Sequence, residues 1–164
     1  MDERGAGRAE EALRAFLDAE GAAYRMVEHE PTRTSQESAR ARGEPLEHGA
    51  KAILLKVEDR FQLCVLSAAR KLDSRKLRAA FACRKIRFAT PGELMDLTGL
   101  MPGTVPPFGR PVLPFDLVID AGLEGNPRVA FNAASPVRSV IMEGAEYLRI
   151  AQGRIADIAE DPAP

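Results

Sequence analysis

The stretch from Thr98 to Gly109 reads TGLMPGTVPPFG, and its three glycines and three prolines in twelve residues exclude a regular helix or strand. Proline fixes φ and removes an amide donor, whereas glycine reaches backbone conformations that are closed to other residues. Gly103 followed by Pro106 and Pro107 therefore predicts a stiff loop with one unusual path. Such a loop either connects two elements or presents backbone N–H and C=O groups to a ligand.

The length of 164 residues predicts a single domain over 1–164, with its core at about 9–150 and short disordered ends. Cys64 and Cys83 lack the paired short spacing of a zinc or redox site, and Cys64 lies in an apolar run typical of a core residue. We therefore expect no metal and no cofactor. Because no apolar run is long enough to cross a bilayer, we also expect a cytoplasmic protein without a membrane partner.

Apolar periodicity and capping residues predict the order of the secondary-structure elements. Thr34, Asp73 and Thr90 are typical helix caps. The predicted helices cover about 8–20, 35–42, 74–81, 91–98 and 145–150. The predicted strands cover 24–29, 50–57, 61–68, 85–89, 117–120, 128–133 and 139–142, with a central hairpin at 50–68. This mixture, without strict alternation, predicts an α+β domain with a mixed, barrel-like sheet surrounded by helices.

Positive charge is concentrated between residues 70 and 87, where eight cations face the single carboxylate of Asp73. The cations are Arg70, Lys71, Arg75, Lys76, Arg78, Arg84, Lys85 and Arg87. Such a density suits phosphate groups and makes nucleic acid a candidate partner. The alternative is a solvated face whose cations are neutralised by carboxylates elsewhere in the fold.

The common catalytic motifs are absent from the sequence, including the nucleophile elbow, the zinc-binding HExxH pattern and the phosphate-binding loops. His29 can serve as an acid, a base or a binding group, or as a structural hydrogen-bonding residue. Lys51 and Lys56 lie five positions apart in one predicted strand and should therefore point to opposite faces. Asn132 and Ser135 follow an apolar strand, where they can bind a ligand or form a local turn.

Five segments occur in an order that resembles the YbaK family of free-standing editing proteins. They are HEPTRTSQESA, GAKAILLK, KLDSRKL, RFATPGELMDLTGLMPGTVPPFG and FNAAS, and the resemblance runs from about residue 9 to 150. The family is similar to the insertion domain of bacterial prolyl-tRNA synthetases. The resemblance implies a mixed α/β fold and metal-free hydrolysis of the ester that links a wrong amino acid to tRNA. The expected substrate is tRNA-Pro, or a related tRNA, carrying a small or polar amino acid; an aminoacyl-tRNA synthetase is a candidate partner, and we assume a monomer.

The resemblance also implies roles for individual residues. Lys51 matches the family lysine that engages the tRNA acceptor end. The family GxxxP loop, which lies beside the aminoacyl group, corresponds to Gly103, Thr104, Val105, Pro106 and Pro107. His29 falls in the H-x-P-x-x-T pattern, and Asn132 and Ser135 fall in the motif usually written FNAGS, so all three are expected to line the pocket. Ala134 stands where the family commonly has glycine, and the amino-acid pocket could differ there.

An aminoacyl ester has an activated carbonyl and a neighbouring ribose hydroxyl, so positioning and oxyanion donors can suffice without a side-chain nucleophile. We expect the loop backbone to orient the ester and the water, and Lys51 to hold a phosphate or the terminal adenosine. The acceptor stem would dock on Arg70, Lys71, Arg75, Lys76 and Arg78. Two alternatives remain open: a non-catalytic tRNA-binding or synthetase-associated module, and a small-molecule binding protein whose cations serve only solubility.

Overall fold

The computed structural model describes residues 3–162. Its α-helices are Glu3–Ala19 (α1), Ser35–Arg42 (α2), Ser74–Phe81 (α3), Pro91–Thr98 (α4) and Gly144–Ala151 (α5). Its strands are Tyr24–Glu28 (β1), Ala50–Val57 (β2), Arg60–Ser67 (β3), Ile86–Phe88 (β4), Asp116–Asp120 (β5), Arg128–Asn132 (β6), Arg138–Glu143 (β7) and Arg154–Ala156 (β8). Among these described residues, no helix combines the length and the apolar character needed to span a bilayer.

The predicted helix caps are confirmed because each cap side chain accepts hydrogen bonds from the first turn. The Thr34 side chain accepts from the amide of Glu37, and Asp73 accepts from two amides at the start of α3. Thr90 and Glu93 form a complete, reciprocal capping box at the start of α4. At α2 the box is incomplete, because the Glu37 carboxylate accepts from the amide of Arg33 instead of the amide of Thr34.

Ordered structure extends beyond the predicted core at both ends. Helix α1 begins at Glu3 instead of residue 8, and it buries Ala6 and Ala9 in line with Leu13. At the other end, β8 pairs with β5, and Ile158 is fully buried. The expected disorder of residues 1–7 is therefore wrong for residues 3–7, which belong to α1, while residues 1–2 and 163–164 lie outside the described residues.

The strands form two sheets. One is antiparallel with the order β1-β7-β6, and the other is mixed with the order β4-β2-β3-β5-β8. The β2–β3 pair is the predicted hairpin, whereas β3–β5 and β5–β8 are parallel. A single bridge between Gly49 and Ala130 connects the sheets. The mixed α+β fold is confirmed, with two open sheets in place of one closed barrel.

The central hairpin is buried on both faces, which explains its nearly continuous apolar sequence. Leu63 and Val65 belong to the larger core cluster, which draws on both sheets. Cys64, between them, belongs to the second cluster, which includes Leu77 of α3. Cys64 is thus the small core residue that the sequence predicted, and burial raises the pKa of its thiol to about 12.

An aromatic cluster in the larger core anchors the glycine-proline loop. The ring of Phe108 packs edge to face against Phe16, Phe131 and Tyr147, with ring centres 5.2 to 5.6 Å apart. The hydroxyl of Tyr147, which is fully buried, donates to the carbonyl of Pro107 at 2.7 Å. One buried side chain of α5 therefore fixes the depth of the loop in the core.

Replacement of Tyr147 by phenylalanine should destabilise the fold by about 1–3 kcal/mol, because the buried Pro107 carbonyl loses the side-chain donor that it has within residues 3–162. Urea unfolding monitored by circular dichroism measures the change. Tyr24→Phe is the matched control, since the Tyr24 hydroxyl binds Asp18 at the surface and its loss should matter less. Equal losses in the two variants would contradict the anchoring role of Tyr147.

Candidate active site

A cleft of about 640 Å³ opens where the two sheets meet beside the Gly49–Ala130 bridge. One wall is α2 with the segment that precedes it, and the opposite wall is the stretch Met101 to Val105 of the glycine-proline loop. The first residues of β2 and the end of β6 complete the cleft. The loop that dominates the sequence therefore faces a cavity, as its ligand-binding interpretation requires.

The loop holds one fixed path at its tip. The amide and the hydroxyl of Thr104 both donate to the carbonyl of Met101, which closes a tight turn. Gly103 takes a φ of +88° in this turn, a conformation that favours glycine. The side-chain amide of Asn132, at the end of β6, donates to the Gly103 carbonyl at 2.6 Å. Asn132 thereby ties the loop to the sheet across the cleft.

Three residues of the loop that line the cleft have backbone amides without a hydrogen-bond partner within residues 3–162. They are Met101, Gly103 and Val105, and the last two lie on either side of Thr104 in the tight turn. Unpaired amides on a rigid turn are suitable donors for an ester carbonyl and for the oxyanion that forms when water attacks it. The loop can therefore supply the electrostatic part of ester hydrolysis.

The two prolines of the predicted GxxxP loop lie behind the cleft wall. Pro106 and Pro107 are buried and do not line the cleft. Their carbonyls accept hydrogen bonds from the amide of Phe108 and the hydroxyl of Tyr147. Pro106 and Pro107 therefore shape the loop, whereas Gly103, Thr104 and Val105 line the cleft.

Lys51 is the second residue of β2, and it lines the cleft. The ammonium is half-buried and makes no hydrogen bond or ion pair with any residue between 3 and 162. Burial and the nearby charge of Lys71 lower its pKa. Lys56 lies on the other face, with its ammonium 5.7 Å from the ring centre of Phe61. The predicted separation of the two lysines is confirmed.

His29 is connected to the cleft only through other side chains. Its Nδ1 donates to the carbonyl of Glu30 at 2.9 Å, which leaves Nε2 facing the hydroxyl of Ser139 at 2.8 Å. The Ser139 hydroxyl also lies 3.2 Å from Oδ1 of Asn132, so His29 connects through Ser139 to the residue that holds the loop. The imidazole does not itself line the cleft. His29 was predicted to contact the substrate, and its position supports the structural alternative instead.

Ser135 likewise has a structural position, in a local turn. Its hydroxyl accepts from the amide of Val137 and closes a local turn between β6 and β7. The side chain is buried and is absent from the described lining of the cleft. Of the two polar residues predicted from the FNAAS segment, Asn132 alone reaches the cavity, because the strand ends there and the chain then turns away.

The structure adds Arg42, which the sequence interpretation did not single out. It is the last residue of α2, 8% exposed, and it lines the cleft. Its Nη1 donates to Ser139 at 3.3 Å, while its Nε is buried without a partner among the described residues. Burial lowers the pKa of its guanidinium to about 10, against the opposing effect of Glu44. The spacing of Ser38, Ala39 and Arg42 on one buried helix face was the available signal.

The cleft is positively charged. Its described lining includes Arg33, Arg42 and Lys51 and contains no aspartate or glutamate. Between residues 3 and 162 no group of three or more His, Cys, Asp or Glu side chains is placed to hold a metal ion. The side chains of the cavity therefore offer an excess of hydrogen-bond donors, which suits a ligand rich in oxygen acceptors.

The five cations of the basic segment that were predicted to bind tRNA differ in whether the fold gives them a partner. Lys76 binds the carboxylates of Asp157 and Asp161, and the guanidinium of Arg70 donates to the backbone carbonyl of Glu160. The C-terminal segment thus occupies two of the five predicted tRNA-binding cations, and the Arg78 guanidinium donates to the carbonyl of Arg84. Lys71 and Arg75 are exposed and have no side-chain partner among the described residues. Neutralisation by distant carboxylates, the second interpretation of this segment, applies fully to Lys76.

Ala134 adopts a φ of +58°, in the left-handed region where glycine is favoured. Its side chain is 2% exposed and packs in the larger core cluster, away from the lining of the cleft. The departure from the expected glycine therefore affects backbone strain and core packing, and residue 134 does not line the cleft.

Ala134→Gly should change the free energy of unfolding by less than about 1 kcal/mol. Relief of the left-handed strain, about 1 kcal/mol, is offset by loss of a buried methyl group, about 0.8 kcal/mol. The relative rates of this variant on different substrates should equal those of the parent chain, because residue 134 does not reach the cleft. Thermal unfolding and a substrate panel measure the two quantities; an altered preference would show that residue 134 shapes the pocket.

Comparisons with known proteins converge on one family. The family described as "Aminoacyl-tRNA editing domain" matches residues 29–150. The chain is 36% identical over 151 residues to the multifunctional Ser/Thr-tRNA deacylase ProXp-y of Escherichia coli (strain K12), covering 88% of this chain and 89% of that protein. A crystal structure of a candidate trans-editing enzyme for prolyl-tRNA synthetase has a TM-score of 0.81 at 28% identity, over 93% of this chain and 98% of that one. A hypothetical protein at 22% identity, with a TM-score of 0.82 over 91% and 99% of the two chains, shares the fold.

Proposed function

This chain belongs to the aminoacyl-tRNA editing domain family, and we propose that its cleft is the active site of an aminoacyl-tRNA deacylase that acts on seryl and threonyl esters. The observation that carries the proposal is that Gly103 and Val105, whose amides have no partner among the described residues, line a cleft that also contains the unpaired Lys51. The relative named as a Ser/Thr-tRNA deacylase supports the choice of amino acid.

The loop stabilises the negative charge that develops on the ester during hydrolysis. The ester carbonyl oxygen lies against the Gly103 and Val105 amides, which stabilise the negative charge that develops when water attacks the carbonyl carbon. Because Asn132 and Tyr147 already hold the loop, these donors need no rearrangement as the charge forms. The attacking water transfers its proton through the neighbouring ribose hydroxyl of the substrate, and the ribose oxygen leaves with a proton. The products are the free amino acid and the uncharged tRNA end.

Lys51 binds the anionic part of the tRNA end. Its ammonium has no carboxylate partner in the described structure, and partial burial makes its attraction to a phosphate stronger than that of a surface lysine. It therefore places the terminal nucleotide so that the attached ester reaches the loop. The half-buried position suits a residue that meets the substrate at the entrance of the cleft.

The tRNA body approaches from the side of Lys71. This exposed lysine is close enough to Lys51 to lower its pKa, so the two charges form a continuous path for the phosphate backbone. Arg75 extends the path on α3, whereas Lys76 faces the C-terminal carboxylates. The structural neighbour linked to prolyl-tRNA synthetase makes tRNA-Pro the candidate carrier and a synthetase a candidate partner.

Lys51→Ala should lower kcat/KM for seryl-tRNA hydrolysis by about 10- to 100-fold, since a charge-assisted contact contributes about 1.5–3 kcal/mol. Release of labelled serine from preformed seryl-tRNA measures it. Lys56→Ala is the control, because Lys56 belongs to the same strand but points to the other face. If Lys51→Ala kept full turnover while remaining folded, the cleft would lose its assignment. Bound tRNA without hydrolysis by the parent chain would favour the non-catalytic module.

Asn132→Ala should lower kcat by about tenfold and leave KM nearly unchanged. The variant removes the hydrogen bond to the Gly103 carbonyl, so the loop amides lose their fixed position although the tRNA contacts remain. Single-turnover deacylation separates the chemical step from binding. Asn126→Ala is the control, since the Asn126 amide donates to the backbone of Glu47 outside the cleft. An unchanged kcat in Asn132→Ala would argue against a positioned loop.

A further inference from the structure

Arg42 presents more donors than its surroundings can satisfy. Only Nη1 has a partner in the described structure, the hydroxyl of Ser139 at 3.3 Å. Nε is buried and unpaired, and Nη2 also lacks a partner but, unlike Nε, retains access to solvent. A guanidinium that is 8% exposed loses most of its hydration without compensating contacts. The residue is therefore poised to bind an acceptor that the free protein does not contain.

The open end of Arg42 lies on the same side of the chain as Lys51. A Cβ placed on Gly49 would stand 3.6 Å from Nη2 of Arg42. Gly49 is extended, with φ −64° and ψ 134°, and it is two residues from Lys51, so their side-chain directions coincide. The two cations thus serve one cavity from adjacent positions. Arg42 is the deeper of the two, since Lys51 is only half-buried.

The order of groups in the substrate decides what each cation meets. The aminoacylated end of a tRNA enters the cleft with its amino acid first, followed by the ribose and then the phosphate. Lys51, near the entrance, therefore meets the phosphate, and Arg42 meets the aminoacyl group. The substrate ammonium cannot lie against a second cation, so it must turn away from Arg42. The atoms that remain to face Arg42 are oxygen acceptors.

We propose, building on the deacylase function above, that Arg42 donates from Nη2 to the side-chain hydroxyl oxygen of a seryl or threonyl ester and so selects hydroxyl-bearing amino acids. The Gly103 and Val105 amides already serve the ester carbonyl, which leaves the side-chain hydroxyl as the acceptor for Arg42. Ser139 holds the guanidinium in place through Nη1. Arg42 is thus a specificity-determining residue of the cleft.

Hydroxyl recognition by Arg42 gives a preference for serine over alanine that pocket size alone cannot give. A cavity that admits serine also admits alanine, which is smaller, and steric exclusion therefore gives no preference for serine. A donor that the bound ester separates from water stays unpaired with alanine but is paired with serine, and it discriminates because an unsatisfied polar group is costly. The selectivity then depends on the hydroxyl itself and applies equally to serine and threonine.

The experiment compares hydrolysis of seryl-, threonyl- and alanyl-tRNA by the parent chain and by Arg42→Met, whose unbranched side chain matches arginine as far as Nε but has no donors. We expect the preference for serine over alanine to fall by about 10- to 100-fold, with alanyl-tRNA hydrolysis unchanged or faster. Arg40→Met is the control, because Arg40 is an exposed arginine of the same helix. An equal loss on all three esters, or an unchanged preference, would overturn the role of Arg42.

Binding gives a second measurement that does not depend on turnover. Adenosine carrying serine or alanine through a stable amide at the 3′ position is titrated into the parent chain and the two variants by calorimetry. The seryl compound should bind the parent chain at least about tenfold more tightly, and this advantage should disappear only in Arg42→Met. Equal affinities in the parent chain would overturn the inference. A binding preference without hydrolysis of any ester would refute the deacylase function while supporting hydroxyl recognition by Arg42.

Discussion

Two hydrogen bonds on opposite sides of the glycine-proline loop hold the active-site wall in place. Asn132 binds the Gly103 carbonyl from the end of β6, and Tyr147 binds the Pro107 carbonyl from α5. With these two carbonyls bound by the protein, the loop is fixed while the N–H groups of Gly103 and Val105 have no partner among the described residues. Donors held at fixed positions suit a developing oxyanion.

The sequence predicted those features that depend on neighbouring residues. The caps at Thr34, Asp73 and Thr90 act within one helical turn, and the hairpin at 50–68 follows from two apolar runs joined by a short turn. The loop path also follows from local proline and glycine chemistry, and the opposite faces of Lys51 and Lys56 follow from strand alternation. Each of these is decided over a few positions, where propensity and sterics dominate.

Features that depend on distant pairs were not accessible in this way. Nothing in the short segment Arg154–Ala156 indicates that it will extend the sheet beside β5. The His29–Ser139–Asn132 connection joins residues from three strands or strand ends, and Lys76 finds its carboxylates more than eighty positions later. Asn132 and Ser135 are equally polar in sequence; only the point at which β6 ends makes the first reach the cleft while the second closes a turn.

Charge pairing distinguishes the cleft from the rest of the molecule. Several arginines outside the cleft bind carboxylates, as in the pairs of Arg138 with Glu10 and Arg87 with Glu93. In the cleft, by contrast, Arg42 is buried and Lys51 half-buried without a carboxylate in the described lining, which is unfavourable for the free protein. The hydroxyl of a bound seryl or threonyl ester would offset part of this unfavourable burial by pairing with Nη2 of Arg42, as proposed above.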